Sequence, residues 1–347
     1  MSDVPQTTAD FRSDTVTRPT STMLTAMAEA EVGDDVLGHD PTTQALEEDA
    51  ARLLGKDAAL FMPSGTMCNL VALLTHTSPG DQILTEEWSH TACFEGGGAG
   101  VFAGVLTRTL GSTRGLMDAA DVDRWMLPRS EHTPGTSLVC VEQTHNFHGG
   151  VVMPLDGLRA IRDVAHAKGA RVHMDGARMF NAVAATQDST AADHAACADT
   201  VSFCLSKGLC APVGSLLCGD VEFIAQARFH RKRLGGGMRQ SGVIAAAGRV
   251  ALREMCARLV DDHALARHLA TGIAAIDGYS VDPTLVDTNI LFVETGDLVA
   301  AEVVAFAAAE DVLLYATGVH QIRFVTHHDV TDAHVDRLLG ILERFVS

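Results

Sequence analysis

The sequence predicts an α/β protein: a large domain built on a mostly parallel sheet flanked by helices, followed by a smaller C-terminal α+β domain. From about residue 44, short apolar runs alternate with stretches of helical periodicity, which is typical of successive βα units. After residues 235–242 the composition changes to a long Ala-, Leu- and Arg-rich helical stretch. We therefore expect an N-terminal arm at 1–16, a large domain at 17–245 and a small domain at 246–347.

Seven runs predict the strands of the large domain, and several are apolar throughout, as strands covered on both faces should be. They are AALFMP (58–63), QILTE (82–86), VLTRTL (105–110), SLVCVEQ (137–143), RVHMDG (171–176), TVSFCLS (200–206) and SLLCG (215–219). The clearest crossover helix lies at 154–169, where Pro154 opens a run of helical apolar spacing and Gly169 closes it.

The C-terminal part begins with the helical stretch at 243–276, which predicts a connecting helix. Two strands and two helices are expected after it. The strands are ILFVET (290–295) and IRFVTH (322–327), and the helices lie at 298–310 and 333–345.

Composition excludes several classes of protein. The chain has 347 residues, 47% of them hydrophobic, and a formal net charge of -18, and no Lys/Arg run stands out, so nucleic acid is not an expected partner. The first residues carry no apolar signal region and no later segment predicts a membrane span, so we expect a cytoplasmic protein. The eight cysteines are interpreted as reduced core residues.

A carboxylate and a lysine end two neighbouring predicted strands. Asp175 closes RVHMD and Lys207 follows SFCLS, and ligands of open α/β sheets bind beyond such carboxyl ends. Pyridoxal 5'-phosphate needs both groups, because the lysine forms a Schiff base and the carboxylate keeps the pyridine nitrogen protonated. Taken alone, each residue is more often a turn or a solvated loop residue.

Anions have several candidate binding groups. Ser64-Gly65-Thr66 joins a strand to a helix and would present backbone N–H groups to a phosphate, although simple helix capping explains the same residues. Arg178, Arg239 and Arg323 could bind carboxylate or phosphate in a bidentate manner, and each could equally be an ordinary surface or ion-pair residue.

Two of the sixteen histidines follow predicted strands at the expected ligand edge, namely His90 and His145. An imidazole titrates near neutrality and can move a proton during catalysis. Other apparent motifs are set aside. A GxGxxA match at 98–103 lacks a βα turn, and His145/His148 and His327/His328 lack metal-ligand spacing, so neither a nicotinamide cofactor nor a metal is expected.

In combination these motifs resemble the low-specificity L-threonine aldolases, which share the aspartate-aminotransferase-like fold of pyridoxal-phosphate enzymes. The similarity covers most of the chain. It rests on FRSDTVTRPT (11–20), EVGDDVLGHDP (31–41), MPSGTMCNL (62–70), EWSH (87–90), VEQTHN (141–146), HMDGARMFNA (173–182), FCLSKGLCAPVGS (203–215), GGGMRQSG (235–242), DTNILFV (287–293) and IRFVTHHDV (322–330).

The resemblance implies a role for each matching residue and cleavage of a β-hydroxy-amino acid to glycine and an aldehyde. Lys207 would be the Schiff-base lysine, Asp175 the pyridinium partner and His90 the residue stacked on the ring. The other implied positions are Gly65 and Thr66 for the phosphate, Ser13, Arg178 and Arg323 for the substrate carboxylate, and Lys232 and Arg239 for the phosphate region of a neighbouring subunit in a homo-oligomer, typically a tetramer.

Three positions depart from the family pattern. Leu37 stands where a Tyr is frequent, Phe94 lies near a position that can be Tyr, and Cys210 replaces a Gly. The base for the β-hydroxyl is left open between His90, His145 and a water. The rival reactions are β-elimination, racemisation and transamination on the same fold, and the rival from another class is a non-catalytic scaffold protein.

Overall fold

The structure is a computed structural model that describes residues 8–186 and 188–347. Its strands are β1 (Ala9–Asp10), β2 (Ala58–Met62), β3 (Gln82–Glu86), β4 (Leu106–Leu110), β5 (Thr136–Glu142), β6 (Arg171–Asp175), β7 (Thr200–Cys204), β8 (Ser215–Gly219), β9 (Ile290–Glu294), β10 (Val312–Leu313), β11 (Tyr315–Gly318) and β12 (Gln321–Val325).

The α-helices alternate with these strands through the first two thirds of the chain. They are α1 (Ser21–Ala28), α2 (Pro41–Leu54), α3 (Gly65–His76), α4 (His90–Cys93), α5 (Ala119–Trp125), α6 (Leu155–Ala167), α7 (Met179–Thr186), α8 (Ala191–Ala195), α9 (Val221–Arg233), α10 (Gly242–Val250), α11 (Leu259–Ile273), α12 (Ala300–Ala308) and α13 (Asp332–Val346).

A seven-stranded sheet forms the centre of the large domain, in the order β2-β8-β7-β6-β5-β3-β4. All neighbouring pairs are parallel except those of β8, which runs antiparallel to both β2 and β7. The predicted mostly parallel α/β sheet is confirmed, and each of the seven predicted strands is present. Because β3, β5, β6 and β7 run in the same direction, their carboxyl ends meet at one edge.

Local sequence signals set the helix ends. In α6, Leu158, Ile161 and Ala165 are buried on one face, and the chain leaves the helix through Gly169 at a φ of 78°. In α2, Asp40 accepts a hydrogen bond from the Thr43 backbone N–H. These devices place each crossover helix against the sheet.

The C-terminal part contains an antiparallel sheet in the order β11-β12-β9, covered by helices. The N-terminal strand β1 pairs in parallel with β10, and Ala9 and Phe11 are buried in this second core. Residues 9–11 of the predicted arm thus pack on the small α+β unit, and residues 1–7 of that arm lie outside the described residues. The domain boundaries themselves stay a prediction.

Two expectations need correction. The helical stretch at 243–276 is not one helix, because Ala251–Met255 forms a π-helical turn between α10 and α11. Apolar spacing continues through this break, so periodicity alone could not detect it. All eight cysteines are free, as expected, but Cys93 is exposed at the end of the short helix α4 and is not a core residue.

Candidate active site

The carboxyl ends of the parallel strands open into a cavity of about 300 Å³. Asp175 is the last residue of β6, and Lys207 follows the neighbouring strand β7. The strands therefore bring both residues to the same cavity. Its lining residues are Thr15, Pro63, Ser64, Gly65, Thr66, Asn69, His90, Glu142, Asn146, Asp175, Ala177, Arg178, Cys204, Ser206, Lys207, Pro212 and Val213.

The Asp175 carboxylate is buried and fully directed by hydrogen bonds. Its Oδ1 accepts from the Ala177 backbone N–H at 3.0 Å, and its Oδ2 accepts from the Asn69 amide at 2.7 Å. Burial by itself would raise the pKa of Asp175, but the charges of His90 and Lys207 outweigh it and lower that pKa. The carboxylate is consequently ionised, as a partner for a protonated ring nitrogen must be.

His90 begins α4 at the cavity wall. Its Nδ1 lies 2.9 Å from Glu95 Oε1, and its backbone N–H donates to Glu142 Oε2 at 2.6 Å. Burial would lower the pKa of His90, whereas the hydrogen bond to Glu95 and the charge of Asp175 raise it, and the net shift is upward. The side chain keeps 31% of its surface exposed, so the ring can contact a ligand.

The N-terminus of α3 also lines the cavity. Ser64 caps this helix through a hydrogen bond from the Met67 backbone N–H at 3.2 Å. A Cβ atom on Gly65 would lie 2.8 Å from the Cys204 Sγ atom, so only glycine allows the loop to pack this closely on β7. The free N–H groups and the Thr66 hydroxyl suit a phosphate.

Two guanidinium groups lie next to each other, and only one is neutralised. Arg178 donates in a bidentate manner to Asp14, at 2.7 Å from Nε and 2.6 Å from NH2. Arg178 and Arg323 share Asn146 Oδ1, at 3.2 and 3.3 Å. Among the described residues, no carboxylate pairs with Arg323, and its buried Nε has no hydrogen-bond partner. The pair therefore carries surplus positive charge beside the cavity.

Ser13 and His145 are not among the residues that line the cavity. Ser13 Oγ accepts a hydrogen bond from the Thr15 backbone N–H at 3.2 Å and caps a short 3-10 turn. Of these two residues, Thr15 lines the cavity. His145 is buried, with Nε2 at 2.8 Å from Glu86 Oε2. His148 Nε2 lies 3.3 Å from the other oxygen of Glu86.

Lys232 and Arg239 are exposed and do not line the cavity of their own chain. Arg239 NH1 donates to Asp34 Oδ2 at 2.9 Å. The structure of one chain thus brings together Lys207, Asp175, His90, Gly65, Thr66 and Arg178, with Arg323 one residue away through Asn146.

Comparison with known proteins agrees with this geometry. Residues 10–296 match the family model described as beta-eliminating lyase. A probable low-specificity L-threonine aldolase 2 of Arabidopsis thaliana is 42% identical over 344 residues, covering 97% of each chain. The low specificity L-threonine aldolase of Escherichia coli K12 is 42% identical over 323 residues, covering 93% of this chain and 94% of that protein. The chain belongs to the beta-eliminating lyase family and, within it, to the low-specificity L-threonine aldolases.

A solved structure shows the same fold. The threonine aldolase of Leishmania major superposes with a TM-score of 0.84 at 21% sequence identity, covering 98% of this chain and 100% of that one. By family membership the chain is a pyridoxal-phosphate-dependent carbon–carbon lyase. Among residues 8–186 and 188–347, no helix has the length and apolar character needed to cross a bilayer.

The residues of the cavity fit this cofactor. Lys207 supplies an amine, Asp175 an ionised carboxylate, and the glycine loop before α3 a cradle of backbone N–H groups. A side chain at Gly65 would displace that loop, because its Cβ would lie 2.8 Å from the Cys204 Sγ atom. The donor set therefore matches an aldehyde, a pyridine nitrogen and a phosphate on one small molecule.

The three departures from the family pattern occupy different environments. Leu37 is 65% exposed, and Phe94 stacks on Phe147 with ring centroids 4.8 Å apart. Cys210 is buried at a φ of 63°, which is the left-handed region that favours glycine. Burial raises the pKa of the Cys210 thiol to about 12, so it is unreactive at neutral pH.

Sequence reasoning missed Asn69, Glu95, Glu142 and Asn146. Asn69 is 1% exposed within an otherwise apolar stretch of α3, and the side chain of Glu95 is 4% exposed. The sequence could have indicated Asn69, because a polar residue among the apolar positions of a buried helix face must have a hydrogen-bond partner. The identity of those partners depends on contacts that are distant in sequence.

Proposed function

We propose that this enzyme cleaves the Cα–Cβ bond of L-threonine, L-allo-threonine and related β-hydroxy-α-amino acids, releasing glycine and an aldehyde. The observation that carries the proposal is the unneutralised Arg323 beside a cavity that holds Lys207 and Asp175. An amino acid substrate needs a cationic group that binds its carboxylate near the site that takes its amine. Relatives with 42% identity that are named threonine aldolases support the same substrate class.

The bound cofactor would supply an electron sink for the broken bond. Lys207 would hold the cofactor through its amine, and the ionised Asp175 would keep the ring nitrogen protonated. Arg178 and Arg323, with Ser13 nearby, hold the substrate carboxylate. Fixing the carboxylate would orient the substrate and so help to decide which bond at its Cα breaks.

The proton of the β-hydroxyl needs an acceptor, and two histidines compete for this role. His90 lines the cavity, while His145 is held by Glu86 and its Nδ1 has no partner among the described residues. We propose that His90 mainly packs on the cofactor ring and that His145 or a water held near it takes the proton. Burial alone would lower the pKa of His145, but the hydrogen bond to Glu86 outweighs burial and raises it, so the ring is a stronger base than an isolated histidine.

The test is a product analysis with L-threonine as substrate. We expect glycine and acetaldehyde in equal amounts, with acetaldehyde measured by a coupled alcohol dehydrogenase assay. Lys207→Ala is the control, and it should lose both turnover and the cofactor linkage that borohydride reduces, because Lys207 is the one lysine among the described residues that line the cavity. A 2-oxo acid and ammonia as the products would instead establish β-elimination, the reaction that the family description names.

We further propose a cytoplasmic homotetramer in which Lys232 and Arg239 reach the phosphate region of a neighbouring subunit's cavity. Both cations are exposed and lie outside the cavity of their own chain, which leaves them available to a partner. Sedimentation should give a species of four chains. Arg239→Ala should weaken cofactor binding although the residue does not line its own cavity, and an active monomer would contradict the arrangement.

A further inference from the structure

A single asparagine joins the Asp175 carboxylate, which lines the cavity, to the Glu95 carboxylate, which contacts the cavity residue His90. The amide nitrogen of Asn69 donates to Asp175 Oδ2 and to Glu95 Oε1, both at 2.7 Å. Glu95 Oε1 also lies 2.9 Å from His90 Nδ1. Asn69 is 1% exposed, so these bonds form in a region that water does not reach freely.

The other end of the Asn69 amide is fixed as well. Its Oδ1 accepts from Ser202 Oγ at 2.9 Å and lies 3.1 Å from His173 Nε2. An inverted amide would direct Oδ1 at two carboxylates, which electrostatic repulsion excludes. Both amide hydrogens and both acceptor positions of Oδ1 are therefore used, and the orientation of the group is determined.

A buried chain of hydrogen bonds supports this orientation. His173 Nδ1 lies 3.0 Å from Thr200 Oγ1, which in turn lies 2.9 Å from His76 Nε2. Burial lowers the pKa of His173 to about 4 and that of His76 to about 3, so both rings are neutral at pH 7. With neutral rings, each N–H or O–H in the chain donates toward Asn69, and Asn69 donates to the two carboxylates.

We propose that Asn69 and Glu95 are positioning residues for the cofactor: Asn69 fixes the Asp175 carboxylate against the ring nitrogen, and Glu95 fixes the His90 side chain against the ring face. Neither residue has to touch the reacting atoms. The inference rests on the cofactor roles proposed for Asp175 and His90, and it does not depend on which bond of the substrate is broken.

The Asn69 arm is tested by cofactor affinity. Asn69→Ala removes a hydrogen bond to an ionised buried group, so we expect the dissociation constant of pyridoxal 5'-phosphate to rise about tenfold or more. The matched control is Asn181→Ala. Asn181 is also a buried helical asparagine, at 3.1 Å from His263 Nε2, but it does not line the cavity. It should lose comparable thermal stability while its cofactor affinity stays at the wild-type value.

The Glu95 arm is tested by spectroscopy of the bound cofactor. Glu95→Ala should reduce the circular dichroism of the visible cofactor band, because the His90 side chain is released, whereas Glu95→Gln keeps an acceptor oxygen and should restore it. Glu95, Asp175 and Lys207 are the charged groups that act on His90. A pH-dependent change in the cofactor spectrum that is lost in His90→Phe reports the titration of His90. This change should occur at a pH lower by about one unit in Glu95→Gln, because the negative charge that raises the pKa of His90 is removed. Glu47→Gln, at a buried glutamate outside the cavity, should leave the step unchanged.

Specific results would overturn this inference. Wild-type cofactor affinity in Asn69→Ala, or an equal loss in Asn181→Ala, would show that Asn69 has only a structural role. Identical visible circular dichroism in wild type and Glu95→Ala would remove the role of Glu95. Asp175→Asn is measured alongside. If its cofactor spectrum matches that of the wild-type protein, the role proposed for Asp175 is wrong, and the inference about Asn69 fails with it. The product analysis with L-threonine tests the proposed reaction independently.

Discussion

At the scale of single residues, the environment of each charge decides what the charge can do. Arg178 and Arg323 share one acceptor, yet Asp14 neutralises only Arg178. Burial and the neighbouring Arg178 both lower the pKa of Arg323, which shows that its charge is costly in this place without an anion. A substrate carboxylate would supply that anion.

Arg323→Ala should therefore weaken substrate binding far more than cofactor binding. The expected loss of transition-state stabilisation, calculated from the ratio of the kcat/KM values of wild type and variant, is about 2 to 5 kcal/mol if the ion pair with the carboxylate is desolvated. Steady-state kinetics measures this loss, and titration with pyridoxal 5'-phosphate measures the change in cofactor affinity with which it is compared. Arg323→Lys keeps the charge without the bidentate geometry and should recover only part of the loss. Equal losses of substrate and cofactor affinity would indicate an ordinary structural role.

Substitutions of His90 distinguish packing on the cofactor from proton transfer. Removal of a general base typically costs about 10²- to 10⁴-fold in rate, whereas an aromatic replacement can preserve ring packing. We expect His90→Phe to retain the cofactor and to be more active than His90→Asn. We expect His145→Phe to lose more of the reaction rate than His90→Phe does. If His90→Phe binds the cofactor but is as inactive as His90→Asn, and the acidic limb of its pH profile disappears, His90 is the base.

At the scale of secondary-structure elements, one buried aspartate joins three segments. Asp40 caps α2 through Thr43 and also accepts from the backbone N–H groups of Gly33 and Gly242, at 3.1 and 3.0 Å. Gly242 is the first residue of α10, so Asp40 connects the start of α2 to the start of α10. A buried carboxylate that accepts hydrogen bonds from three backbone N–H groups contributes more to the free energy of unfolding than an exposed helix cap does.

Asp40→Ala should lower the free energy of unfolding by about 2 to 4 kcal/mol, because three backbone donors lose a charged acceptor. Urea unfolding of the cofactor-saturated protein measures the change. Asp118→Ala is the matched control, since Asp118 is an exposed cap of α5 with one bond to the Ala120 backbone N–H at 2.8 Å. It should cost about 1 kcal/mol. Similar values for both variants would contradict the connecting role of Asp40.

At the scale of the whole molecule, buried carboxylates make stability depend on pH. Burial by itself would raise the pKa of Asp14 and of Glu86. Arg178 outweighs this effect at Asp14, the hydrogen bonds from His145 and His148 outweigh it at Glu86, and both pKa values fall well below the usual 3.8 and 4.5. Their stabilisation is present above the unfolded pKa values and is lost as pH falls toward the folded ones.

The thermal unfolding midpoint should therefore fall as the pH is lowered. The buried neutral His76 and His173 contribute to this loss from about pH 6.5 downward, and the two carboxylates add to it below about pH 4.5. Asp14→Asn should unfold at lower temperature at neutral pH, because Arg178 loses its counter-charge, and its midpoint should vary less with acidification. Calorimetry between about pH 2 and pH 7 measures both effects. A midpoint that is unchanged down to about pH 3 in the wild-type protein would exclude this source of stability.

The sequence by itself determined the strands of the large sheet, the crossover helix α6 and the position of Asp175 and Lys207 at strand ends. Apolar runs, caps and turn residues are local signals, and parallel strands place their carboxyl ends together. For example, β3 and β8 have the predicted bounds 82–86 and 215–219. The family motifs then supplied the expected roles of the residues around the cofactor.

Only the tertiary structure decided which polar groups meet. Asp14 and Arg178 are separated by 164 positions, and Asn69 and Asp175 by 106. The break between α10 and α11 was likewise absent from the apolar spacing, which continues through it. The physical reason is that a buried hydrogen bond or ion pair depends on the distance between two groups in space, whereas periodicity and propensity describe only neighbours along the chain.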